Sequence, residues 1–184
     1  MGDDSWTALR VIYSSEDLPS LFNRITEDPF NNYKGFGSNI LFADTKGNIG
    51  YHLIISAPVR KEKTPFIGSR VLDGTTTKFD WTGELMPQSA MPKSLNPKKG
   101  YLASANNRQT SDHSISDIGA SINSPGRILR IDEILSEGIA SGKKFKLEDM
   151  AAIQQDVTDV VARRMVALIV EIAKEKIPFA LLKP

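Results

Sequence analysis

Apolar and polar positions change rhythm twice along this chain. In SSEDLPSLFNRI (residues 14–25), Leu18, Leu21, Phe22 and Ile25 recur at three- and four-residue steps. That spacing predicts a short helix beginning near Ser15 or Glu16. In SNILFADTKGNIGYHLIISAP (residues 38–58) two β-prone runs flank DTKGN, whose residues tolerate positive φ, so a hairpin is predicted. Residues 59–97 read as loop: they hold Pro65, Pro87, Pro92 and Pro97, a charged RKEK, and an aromatic island FDWTGELMP. Within that island Trp81, with Phe79, is expected to anchor the long segment by packing. GYLASANN (residues 100–107) then reads as a strand, followed by a polar span to residue 124.

The last third turns helical. In SPGRILRIDEILSEG, Ser124 can cap, Pro125 suits the first helical position, and Gly138 suits the exit. Ile128, Ile131, Ile134 and Leu135 form its apolar face. Residues 146–176 continue with one or two helices, the second case implying a bend near Thr158. Strands early and helices late define an α+β class, with a strand-and-loop part over 1–123 and a helical part over 124–184.

Composition narrows the function classes. Of 184 residues, 40% are hydrophobic and 24% charged, and Lys plus Arg (23) nearly equals Asp plus Glu (22). No global field therefore favours nucleic acid or an anionic membrane surface. The longest apolar run, MVALIV, is too short to span a bilayer. There is no cysteine, which excludes a disulfide framework and thiol-based metal sites. The start, MGDDSWTALR, is acidic where a signal peptide needs positive charge, and localisation stays unknown.

Candidate chemistry is sparse. Two histidines with no partner at ligand spacing are poor evidence for zinc. His52, in an alternating strand, is expected to face solvent or a loop, and His113 to lie in a polar loop. DTKGNIG has glycines but turns between strands rather than opening a helix, so it is no phosphate loop. The pair Asn106–Asn107 poses the sharper question. Asparagine at the end of an apolar run can simply stop a strand and order a turn, or aim an amide N–H outside the sheet. Asn107 is read as the backbone-bonded turn residue.

Four ordered blocks carry a resemblance: NILFADTKGNIGYHL, FDWTGELMP, LNPKKGYLASANNRQ, and SPGRILRIDEIL followed by EDMAAIQQDV. Together they resemble the penicillin acylase family of N-terminal-nucleophile amide hydrolases, over roughly Ser5 to Lys176. The likeness is to the middle of the large (β) subunit. It implies part of a four-layer αββα sandwich and a small-molecule acyl amide substrate: a β-lactam side chain, an acyl-homoserine lactone or similar. It also implies site residues. Asn106 matches the family's oxyanion-stabilising asparagine and Arg127, in PGRIL, its supporting arginine. Asp117 matches an aspartate that ligates a structural calcium in some members, and the chemistry itself needs no cofactor. Intact members are often periplasmic or secreted.

The resemblance also carries a departure. The family's nucleophile is a serine with a free α-amine, well over a hundred residues before these blocks, whereas Ser5, Ser14 and Ser15 are internal. This polypeptide alone is thus expected to be inert and to need the α subunit and the remainder of the β subunit as partners. Self-association of exposed apolar surface is a further expectation. The alternative is a freestanding, non-catalytic binding module on the same scaffold.

Overall fold

A computed structural model describes residues 15–25, 37–62, 70–110 and 125–176. The chain divides into two compact units, Met1–Asn123 and Ser124–Pro184. Together they form a mixed helix-and-sheet, α+β structure.

In the first unit, helix α1 (Leu18–Ile25) buries Leu18, Leu21 and Ile25. Its start is capped one residue beyond the expected positions: Asp17 Oδ1 accepts from the Ser20 N–H at 3.0 Å. Strands β1 (Ser38–Ala43) and β2 (Ile49–Ile54) pair antiparallel, with Phe42 opposite Gly50 and Ile40 opposite His52. Burial alternates along β1, so Ile40 and Phe42 face inward while Leu41 is 49% exposed. Helix α1 lies on that inner face, where Leu18, Leu21, Ile25 and Ile54 make the core.

Two features set this close approach. Gly50 has no side chain where Phe22 sits: a Cβ there would lie 2.7 Å from Phe22 Cε2 and 2.9 Å from its Cζ. Phe22 in turn packs edge-on against Phe42 and His52, with ring centroids 6.2 and 5.9 Å away. The hairpin turn holds the helix from the other end. Asp44 Oδ1 accepts from the N–H groups of Lys46 and Asn48, Asp44 Oδ2 accepts from the Leu18 N–H, and Lys46 Nζ donates to Asp17 at 2.7 Å. The Asn48 side-chain amide bond leads the interactions that hold the Asp44 carboxyl below its ordinary range. Lys46 does the same for Asp17, which falls to about 2.

Part of the segment read as loop forms regular structure among the described residues. It contains β3 (Pro58–Arg60) and β4 (Trp81–Leu85), an antiparallel pair with an irregular register, a 3₁₀ turn (Gln88–Ala90), and β5 (Lys93–Leu95). Strand β5 pairs antiparallel with β2, giving the sheet order β1-β2-β5. Buried Met91 and Gln88 tie the segment down, and Gln88 Nε2 donates to the Ile55 carbonyl at 2.7 Å. Trp81 does not anchor it. That ring is 61% exposed, with the Arg60 guanidinium 5.9 Å from its centroid. Residues 101–104, expected as a strand, make no ladder, and the second edge of β2 is taken by β5 instead.

The second unit holds α2 (Gly126–Ala140), α3 (Leu147–Gln155) and α4 (Val160–Lys176). Gly138 is not the exit of α2. It is an interior seat for Phe145, whose ring occupies the space a Cβ would need. The helix is closed just beyond its last residue by Gly142, φ +76°, with Lys143 N–H bonded to Gly138 O and Gly142 N–H to Ile139 O. That pairing is a Schellman motif, and the left-handed position suits glycine. Ser124 lies outside the described residues. Helices α3 and α4 are separate, and the break falls around Thr158, where Asp159 Oδ1 caps α4 by accepting from Val161 and Ala162 N–H. Arg130 grips Asp156 through Nε and Nη2 and gives Nη1 to Glu133 at 2.8 Å. Glu133 also accepts from Arg163, so one network joins α2, the α3–α4 break and α4. The Arg130 hydrogen bonds hold both the Asp156 and Glu133 carboxyls below their ordinary range.

Candidate functional site

The apolar run 101–104 ends in a bend at Ala105–Asn106, the two residues that precede the second asparagine. Ala105 is buried, and its N–H donates to Asn107 Oδ1 at 3.1 Å. Asn107 Nδ2 donates to the Arg108 carbonyl at 3.0 Å, and Gln109 Nε2 bridges Ser104 Oγ and Asn107 Oδ1 at 3.0 and 3.2 Å. Asn107 is therefore the backbone-bonded turn residue, half-buried and held from three sides. An asparagine carboxamide is suited to this, because one end accepts while the other donates.

Asn106, beside it, differs in kind. Its backbone is left-handed, φ +59°, and its side chain is exposed. Only one other non-glycine among the described residues has positive φ: Asn96, at +46°. There the reason is local and structural. Asn96 exchanges bonds with Ile49, N–H to O at 2.9 Å and Oδ1 from N–H at 2.9 Å, and reaches Asn48 with Nδ2. Asparagine enters the left-handed region more readily than most residues, since its short amide offsets part of the steric cost. Asn106 takes that conformation in a bend to which Asn107 and Gln109 contribute hydrogen bonds. The site thus stands at a bend after a segment outside the strand ladders, not at the tip of a sheet strand.

Arg127 is the second residue of α2, exposed, in a first turn with no acidic residue. A cation there opposes the positive end of the helix dipole. Asn106 belongs to the first unit and Arg127 to the second. Asp117 and His113 lie outside the described residues. Among those described, no group of three or more His, Asp or Glu could hold a metal ion, and no helix is long and apolar enough to cross a membrane.

His52 does not face solvent. It is fully buried, edge-on to Phe22, with Nδ1 2.9 Å from the Leu53 carbonyl and no partner for Nε2. Burial, with Lys93 opposite it on β5, pushes its pKa below the ordinary histidine value. Tyr51, on the outer face of the same strand, donates its hydroxyl to Asn39 at 2.6 Å, and burial pushes its pKa up. Strand β2 is covered on both faces, which its alternating sequence did not reveal.

Comparison with known proteins places these features in context. The profile of the penicillin amidase family matches residues 26–183. The penicillin G acylase of Escherichia coli is 35% identical over 104 residues, covering 54% of this chain and 11% of that protein. An acyl-homoserine lactone acylase, QuiP, of Pseudomonas syringae pv. syringae (strain B728a) is 32% identical over 127 residues, covering 69% of this chain and 14% of that protein. Among solved structures, a thermostable penicillin G acylase from Alcaligenes faecalis in orthorhombic form aligns with a TM-score of 0.68 at 20% identity. That alignment covers 96% of this chain and 29% of the other, and shows a shared fold.

Proposed function

Because the chain belongs to the penicillin amidase family, we propose that it is the oxyanion-bearing segment of an acylase that hydrolyses an acyl amide to a carboxylic acid and an amine. The substrate class is a β-lactam side chain, an acyl-homoserine lactone or a related N-acyl compound, in keeping with the names of the curated relatives. When a hydroxyl attacks the amide carbonyl, negative charge collects on the carbonyl oxygen. A fixed N–H donor at that oxygen lowers the barrier by about 2.7–4 kcal/mol. In this reading the Asn106 carboxamide is that donor and Arg127 supports its surroundings. A neutral amide suits the task because it donates without a proton it could lose.

The observation carrying this reading is the contrast within the pair. Asn107 is the half-buried member, bonded to neighbouring backbone, and Asn106 is the exposed member, on a left-handed backbone at φ +59°. Strained or rare backbone conformations concentrate where a side chain must be aimed. The nucleophile is not among the residues proposed. We infer that these residues, assayed alone, do not turn over substrate.

The test has two arms. The isolated chain is assayed on a chromogenic phenylacetyl-anilide, and turnover that Asn106→Ala abolishes would overturn the claim of inertness. Residues 26–183 are then exchanged for the matching segment of the E. coli acylase. In the active chimera, Asn106→Ala lowers kcat by about 10²–10³ with little change in KM. An unchanged kcat removes Asn106 from the mechanism.

A further inference from the structure

Asn106 takes a rare backbone conformation, and the side chain next in sequence bridges across it. The Ala105 N–H donates to Asn107 Oδ1 at 3.1 Å. The ring that this bond closes contains φ and ψ of Asn106, the two soft torsions of that residue's backbone. Ala105 is buried, and a buried N–H keeps its acceptor because leaving it unpaired is costly. The bond therefore constrains the residue enclosed by it, whose φ is +59°.

The bridging carboxamide is itself fixed. Asn107 Nδ2 donates to the Arg108 carbonyl at 3.0 Å, so a flipped amide would turn an acceptor on that carbonyl and a donor on the Ala105 N–H. Gln109 Nε2 donates to Asn107 Oδ1 at 3.2 Å and to Ser104 Oγ at 3.0 Å. Asn107 Oδ1 thus takes two donors, one for each lone pair. Because Ser104 precedes the bend and Gln109 follows it, the glutamine closes an outer ring around the inner one. Asn96, at φ +46°, is fixed differently: its own amide bonds Ile49 and Asn48. At Asn106 the amide of the following residue closes over the backbone.

We propose that Asn107 and Gln109 are positioning residues, an amide clamp that sets the left-handed backbone of Asn106 and with it the direction from which its carboxamide meets a substrate carbonyl oxygen. The proposal rests on the oxyanion reading of Asn106. Direction matters because a reacting group misplaced by about 1 Å loses about 10²-fold in rate.

Two measurements separate the clamp from that reading. In the isotopically labelled full chain, the amide-to-Hα coupling and backbone carbon shifts of residue 106 report its φ without any chemistry. Asn107→Ala and Gln109→Ala should both move residue 106 away from the left-handed region, Asn107→Ala further. Gln109→Ala removes only the outer ring, so it carries the test if Asn107→Ala fails to fold. An unchanged φ overturns the clamp. In the active chimera, Gln109→Ala should lower kcat by about 10-fold or more at nearly unchanged KM. In an Asn106→Ala background the same substitution should change kcat by less than about twofold, because both act through one amide. An equal fall in both backgrounds overturns the positioning role. A kcat that ignores Asn106→Ala, while φ still follows the clamp variants, overturns the oxyanion reading and leaves the clamp supported.

Discussion

Adding one methyl group to Gly50 tests the packing of α1 on the sheet. Positive φ does not explain this glycine, because Gly50 is absent from the positions with left-handed backbone. Space does. The new Cβ would lie 2.7 and 2.9 Å from two Phe22 ring carbons and 3.5 Å from Leu18 Cδ1, whereas carbon atoms rest at roughly 3.5–4.0 Å. The ring must retreat by about 1 Å, yet Phe42 and His52 flank it. Overpacking of this kind costs about 1–3 kcal/mol. Replacing glycine where the backbone is ordinary returns about 0.4–1 kcal/mol through the unfolded chain. Gly50→Ala should therefore destabilise by about 1–2 kcal/mol, or roughly 2–8 °C in Tm for a chain of this size. Urea unfolding should show a lower midpoint at unchanged slope. In a Phe22→Leu background the same change should cost about 1 kcal/mol less, since the clashing ring is gone. A neutral or stabilising Gly50→Ala, or equal damage in both backgrounds, would refute the account.

Two further outcomes follow from buried and networked groups. His52 has its folded pKa lowered by burial, so the unfolded chain binds the extra proton first. Its contribution is complete above the unfolded value near 6.5 and is lost as pH falls through that value toward the folded one. Tm measured from pH 7.5 down to about 5.5 should drop more steeply for the wild type than for His52→Phe, and parallel slopes would contradict this. Arg130 joins α2 to the α3–α4 break through Asp156 and to α4 through Glu133 and Arg163. Arg130→Ala should lower Tm more than Arg164→Ala does, by differential scanning calorimetry, and equal effects would show that the network is not structural.

The sequence by itself determined the elements whose causes are local. Helical spacing of Leu18, Leu21 and Ile25, the DTKGN turn, and the polar break around Thr158 are properties of neighbouring residues, and each appears in the structure. The ordered blocks that identify the family are likewise written in the chain. What depended on residues far apart in sequence was not legible. Strand β5 exists because Lys93 and Ser94 find His52 and Tyr51 some forty residues earlier, and Pro-rich composition disguised it as loop. The same pairing, with Phe22 from α1, buries His52, although its strand alternates like one with a wet face. Gly138 looked like a helix exit until Phe145 folded back onto it. The asparagine pair shows the division most clearly. Residue type allowed either amide to turn the chain, and the folded bend shows that Asn107 does so through its bonds to neighbouring backbone. Local propensity acts between residues a few bonds apart, whereas burial and strand pairing are decided by whichever distant surface arrives.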